Sequence, residues 1–285
     1  MDYKPRQIFG WMAKRRLTAA HAGGGFAHTT RGVIRTCRNL LMGGILVTNL
    51  HAQNPDTQLL LRPESPWINP ASNLDEATLA PKLDGGNAIS FASPQILIHK
   101  NTDQAEFISA VWKDAAGKLV HQRSVFVLKP DYAVLVDHIY SAGQHTIVRS
   151  FAFPLSEATF DREGAQVALA GGKNFRVQGI DVVGAQATPT NANQAVDLTT
   201  VIKTPAPIAT ALLSWTGGAA PKVEFLKPSN PLVVKCKVTF PDGRIDFVAM
   251  AWENRAALHL NGKELKGWAA CLRQTPTGTS QIEIY

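Results

Sequence analysis

From about residue 95 onward, apolar and polar residues recur at the short period of β-strands, and no long helical periodicity interrupts them. The most regular stretch is Arg123–Pro154, RSVFVLKPDYAVLVDHIYSAGQHTIVRSFAFP. It predicts three strands over 123–129, 132–140 and 144–153, with turns at Lys129-Pro130-Asp131 and Ser141-Ala142-Gly143. In the second strand Tyr132, Val134, Val136, His138 and Tyr140 share one face, and Ala133, Leu135, Asp137 and Ile139 share the other. Both faces are largely apolar, so the meander is expected to be covered on both sides. Further strands are predicted over 95–99, 106–113, 165–170, 175–183, 208–215, 223–227, 232–240, 244–252, 256–260 and 281–285. Short strands are also expected at 58–62 and 88–91, an irregular connection over 63–86 or a short helix near 74–79, and a surface loop over 186–194. Many short strands at regular spacing predict an all-β fold, an antiparallel β-sandwich of two large curved sheets.

Charge changes the picture at one end only. Of 29 Lys/Arg and 22 Asp/Glu, eight basic residues and one acid fall within residues 1–52, and the other 21 of each sign balance. The basic character therefore belongs to the N-terminal segment, and the folded part shows no footprint for nucleic acid. Within that segment, basic Arg31–Arg38 precedes the short apolar run Leu40–Val47 and then Ala52. This order is that of a secretory signal peptide, with cleavage expected near Ala52. The expected organisation is a leader over 1–52 and one β-sandwich domain over 53–285, exported to the periplasm or outside the cell. No apolar run is long enough to span a bilayer as a helix.

The central stretch also resembles a known family. His121, Arg123, Val125 and Val127 around Phe126, followed by Lys129-Pro130-Asp131-Tyr132, Val136-Asp137, Gly143 and His145, are similar to the C-terminal β-sandwich of the heparinase II/III-like polysaccharide lyases. The likeness is close over about thirty residues, and Leu258–Lys263 fits a hairpin of the same domain. The resemblance implies β-elimination on uronic-acid glycans, but most of that chemistry belongs to an α/α toroid that has no counterpart in this sequence. Of the catalytic groups, only His99 of His99-Lys100-Asn101 is a loose match to the family's sandwich histidine. The resemblance also implies a structural zinc, for which His99, Asp103 and His121 are the candidates. A solvated strand position for His121 and a turn cap for Asp103 are the competing readings.

Other residues are read from chemistry alone. Asp137 lies in an apolar strand and needs a partner, which Arg123 or Arg149 can supply. His138 and His145 read as strand-face residues. Trp67, Trp112, Trp215, Trp252 and Trp268 are core anchors or a sugar-stacking platform, with Trp112 and Trp252 assigned to the core. Cys236 and Cys271 are either free buried thiols or a disulfide. The functional expectation is an accessory sandwich that binds or presents an acidic polysaccharide, beside a separate toroid lyase subunit. An active polysaccharide lyase or a truncated remnant of one, and a purely structural envelope sandwich, are the alternatives.

Overall fold

The computed structural model describes residues 81–86, 95–114, 116–152, 158–168, 170–180, 185–190, 195–253 and 255–285, all within the compact unit Leu50–Tyr285. The leader, Trp67, the strands expected at 58–62 and 88–91 and the helix expected at 74–79 lie outside the described residues.

The described residues form nineteen strands in antiparallel sheets, with no α-helix among them. The largest sheet has eight strands. These are β2 (Gln95–Asn101), β3 (Ala105–Lys113), β4 (Leu119–Leu128), β5 (Tyr132–Ile139), β7 (Thr159–Phe160), β8 (Gly164–Ala168), β9 (Lys173–Gly179) and β12 (Pro207–Thr216), ordered β2-β3-β4-β5-β12-β9-β8-β7. A four-stranded sheet holds β1 (Lys82–Leu83), β6 (Gly143–Ala152), β10 (Gln186–Thr190) and β11 (Ala195–Thr204), ordered β1-β6-β11-β10. A five-stranded sheet runs through β13 (Lys222–Leu226), β14 (Val233–Thr239), β15 (Ile245–Ala251), β18 (Ala269–Thr275) and β19 (Gly278–Ile284) in that order. The hairpin β16 (Ala256–Leu260) and β17 (Lys263–Gly267) completes the set.

The eight-stranded sheet is the middle layer. Phe107, Phe126, Leu128, Tyr132, Val134 and Leu213 of one face pack with Val234, Cys236, Val238, Val248, Met250 and Cys271 of the five-stranded sheet. Ile108, Trp112, Val125, Leu135, Phe175 and Leu212 of the opposite face pack with Phe151, Val196 and Leu198 of the four-stranded sheet. The far face of the five-stranded sheet is closed by Leu258, Leu260 and Leu265 of the β16–β17 hairpin. This arrangement explains β5, whose eight residues are all buried: a strand covered on both sides is apolar on both parities. β14 keeps its alternation, with Cys236 and Val238 buried and Lys235 and Lys237 partly exposed, because only one of its faces lies against the main core.

Two expectations change. The predicted meander does not stay in one sheet: β4 and β5 pair, but β6 leaves through Ser141-Ala142-Gly143 and pairs with β11 in the four-stranded sheet. Periodicity gives a strand's faces but not its neighbours. The segment expected as a loop over 186–194 contributes β10, which pairs with β11 from Gln186↔Thr199 to Thr190↔Ala195. Its Thr residues favour strands despite Pro189, and it occupies a sheet edge, where a missing N–H is tolerated. The Leu258–Lys263 hairpin does form, turning at Asn261 (φ 44°) and Gly262 (φ 80°), the residue pair that suits a two-residue turn with positive φ at both positions.

Buried polar side chains join the layers. Tyr132 in the middle sheet donates its hydroxyl to Asp246 Oδ2 of β15 at 2.9 Å, and Arg273 of β18 grips the same carboxylate through Nε and Nη2, both at 2.9 Å. Burial holds the Tyr132 phenol well above its usual range, so it stays a proton donor. On the other side, Arg149 of β6 reaches across to Ala209 O (3.0 Å) and Thr210 Oγ1 (2.6 Å) of β12 and to Thr200 Oγ1 (2.9 Å) of β11. Cys236 and Cys271 are free and buried. Each is registered opposite Val248, so a whole strand lies between them. Two interstrand spacings of about 4.8 Å put their Cα atoms beyond disulfide reach.

Asp246→Ala leaves the Tyr132 hydroxyl and the Arg273 guanidinium without their shared acceptor. It is expected to cost roughly 3–5 kcal/mol, read as a fall in the urea midpoint at unchanged m-value.

Candidate functional site

Two places gather polar side chains on the middle sheet. The first is buried. Arg123 and Asp137 are directly opposed across β4–β5, with Arg123 Nε to Asp137 Oδ1 at 2.6 Å and Nη2 to Oδ2 at 3.1 Å. His121 Nε2 lies 2.8 Å from Asp137 Oδ1. All three side chains are essentially inaccessible. Burial pushes the Asp137 pKa up, but the Arg123 charge and the His121 hydrogen bond outweigh it, and the carboxyl is held below the usual carboxylate range. Burial in turn lowers His121, against the pull of Asp137. The pair is therefore an ionised carboxylate receiving an N–H from a neutral imidazole, which stacks on Trp112 at 4.8 Å between ring centroids. This network satisfies a buried charge and orders β4 against β5.

The proposed metal set is not assembled. His99 lies opposite Ile108, whose partner on β4 is Val125, four residues along that strand from His121. His99 is instead partly exposed and 2.7 Å from Glu106 Oε1. Asp103 is exposed in the β2–β3 turn, where Thr102 makes the capping contacts to Ala105. His121 has its Nε2 on Asp137. No group of three His, Cys, Asp or Glu able to hold a metal occurs among the described residues, and these three residues do not fit a shared zinc.

On the opposite face of β5, His138 is buried between Tyr140 (4.3 Å) and Trp252 (3.8 Å), and neither ring nitrogen has a hydrogen-bond partner among the described residues. Gln122 beside it accepts from the Tyr140 hydroxyl at 2.9 Å and donates to Ser109 Oγ at 3.1 Å and to Trp252 O. His145 is paired with Asp84 at 2.7 Å near the β1 edge. Trp112 and Trp252 are core residues, and Trp268 packs on the core from the side.

The second place is a cleft of about 360 Å³ at the ends of the middle and five-stranded sheets. Three turns build it: Asp131 from β4–β5, Trp215 to Ala219 from β12–β13, and Phe240 to Arg244 from β14–β15. Arg244 Nη1 pairs with Asp131 Oδ2 at 2.7 Å, and its guanidinium carbon lies 3.6 Å from the Phe240 ring centroid. Asp242 Oδ1 accepts the Arg244 backbone N–H at 2.9 Å. Gly217 and Gly218 take φ of 61° and 64°, the left-handed region that favours glycine. Trp215 is half-buried, seated on the core by one part of its ring and lining the cleft. Of the five tryptophans considered from the sequence, this is the one found at a cleft among the described residues. From the sequence, Asp131 and Asp242 read as turn residues and Arg244 as the first residue of the strand expected over 244–252. Their charges, clustered in the KPDY and PDGR turns, were the available signal, but nothing local says that the two turns meet.

No protein-family model matches the chain, and neither does any curated protein. Solved structures that align with it include the heparan sulfate lyase HepC from Pedobacter heparinus, at 13% identity and TM-score 0.47 over 66% of this chain and 29% of that one. A heparinase III aligns at 16% identity and TM-score 0.45 over 66% of this chain and 28% of that one. Another heparinase III gene product aligns at 13% identity and TM-score 0.45 over 72% and 30%. This chain therefore spans under a third of the length of these lyases. They are of the type that the KPDY stretch resembles.

Burial lowers the His138 pKa to about 4. An unfolded histidine titrates near pH 6.5, so the unfolded chain takes up a proton first as pH falls. Stability is expected to drop between about pH 6.5 and pH 4, by on the order of 3 kcal/mol from this residue. Denaturant midpoints measured across that window check it, and His138→Phe should flatten the slope.

Proposed function

We propose that this chain is an exported, non-catalytic sandwich of the heparinase II/III-like type that binds an acidic polysaccharide and presents it, in the simplest arrangement to a separate toroid lyase subunit. The observation that carries the reading is the cleft: a half-buried indole beside the Arg244–Asp131 ion pair, with the Asp242 carboxylate on the adjoining turn. Aromatic rings pack on the apolar faces of pyranoses, while charged groups with fixed partners offer preset hydrogen bonds. The likeness of residues 121–145 to the family supports the domain type, and the basic–apolar–small order of the leader supports export. No helix among the described residues is long and apolar enough to cross a membrane, which leaves strand-built spans unaddressed. The near-neutral balance outside the leader favours modest affinity, set by contacts rather than by long-range attraction.

One observation favours a second reading. The partly exposed pair of His99 on edge strand β2 and Glu106 on its neighbour β3 has the form of a base oriented by a carboxylate, and His99 is the loose match to the family's sandwich histidine. As a lyase, the chain would use His99 to take the proton at C5 of a uronate.

Two measurements separate these readings. In affinity gels containing heparan sulfate, chondroitin sulfate or alginate, retardation is expected in at least one, and Trp215→Ala should weaken it by about tenfold. No retardation in any of them overturns the binding reading. With the same polymers, absorbance near 235 nm should stay flat for the chain alone. A rise abolished by His99→Ala would establish the lyase instead.

A further inference from the structure

Resting on the reading of the Trp215 cleft as a sugar site, we propose that its occupant is an uncharged pyranose unit, not a uronate or a sulfated residue. The cleft has two carboxylates and one cation. Arg244 is committed to Asp131 at 2.7 Å and lies over Phe240, so its charge is already balanced. Asp242 is exposed on the adjacent turn and makes no ion pair among the described residues. An anionic sugar brought here meets an uncompensated carboxylate and finds no cation to receive it. Sugar hydroxyls face no such conflict, because they donate to carboxylate oxygens and accept from N–H groups.

The hydrogen-bonding groups match that chemistry. Asp131 and Asp242 supply acceptors. Trp215 Nε1 and Arg244 Nε are buried N–H donors with no partner among the described residues. Both nitrogens are closed off from solvent, so the contacts the cleft offers a sugar are the Asp131 and Asp242 carboxylate oxygens and the Trp215 ring. The positive φ at Gly217 and Gly218 keeps this wall free of side chains, since other residues rarely adopt that backbone. In an acidic polysaccharide that alternates charged and uncharged units, the uncharged unit occupies the cleft and its acidic neighbours lie outside.

The test is calorimetric titration of the full chain with two oligosaccharides, N-acetylchitotetraose (uncharged) and tetragalacturonate (four carboxylates). N-acetylchitotetraose is expected to bind at least about tenfold more tightly, and Trp215→Ala to weaken it by about tenfold. Asp242→Asn keeps the side-chain oxygen that caps the turn and removes the charge. It sits on an exposed turn, so it tests the site without touching the core, and it should raise tetragalacturonate binding about fivefold. Equal or tighter binding of tetragalacturonate by the unaltered chain overturns the proposal, as does no response to Asp242→Asn. If acidic polymers are retarded in gels while N-acetylchitotetraose fails to bind, this inference falls and the polysaccharide reading stands. If N-acetylchitotetraose binds and no acidic polymer is retarded, the inference stands and the broader reading falls. If nothing binds, both fall.

Discussion

The Asp137 carboxylate lies in a strand covered on both faces, and the middle of the protein depends on its being paired there. A bare carboxylate at that position would cost several kcal/mol. The bidentate contact with Arg123 and the N–H from His121 make it tolerable, and all three come from directly adjoining strands. The same solution recurs one layer away, where Asp246 is held by Tyr132 and Arg273. It recurs in complementary form on the other side, where the buried Arg149 guanidinium is met by carbonyl and hydroxyl oxygens. Each interface of the stack thus has an apolar field with a polar link inside it. The apolar contacts supply most of the driving force, and the links fix which strands face one another.

How much of this was legible in the sequence follows from the range of each signal. Strand positions came from alternation and turn chemistry, both local, and so most boundaries agree to within a few residues, as at 256–260 and 208–215. Coverage of β5 on both sides was legible because both parities are apolar. The departure of β6 into another sheet was not, since Gly143 marks a corner without saying where the chain goes next. The need of Asp137 for a partner could be read from its apolar surroundings. Asp246, in Arg244–Met250 with the same pattern, is open to the same reasoning. The cleft was illegible for a different reason: its residues come from three turns spread over residues 131–244, and only the register of two sheets joins them.

The two polar assemblies divide the work. His121, Arg123 and Asp137, the residues that make the stretch look like part of a lyase, are spent on holding β4 to β5. The cleft proposed as a binding site lies instead at the strand ends, on turns that two sheets position. Residues on those turns can change without disturbing the buried network.

The distance between Cys236 and Cys271 has a consequence of its own. Burial pushes the Cys236 thiol up to about 12 and raises Cys271 as well, so neither presents a reactive thiolate at ordinary pH. With β15 between them they cannot be joined without unpairing the sheet. The folded domain therefore makes no demand on the redox state of its surroundings. It should reach the same structure in a reducing cytosol as in an oxidising compartment, and wherever the chain is delivered, its stability comes from packing and polar links alone.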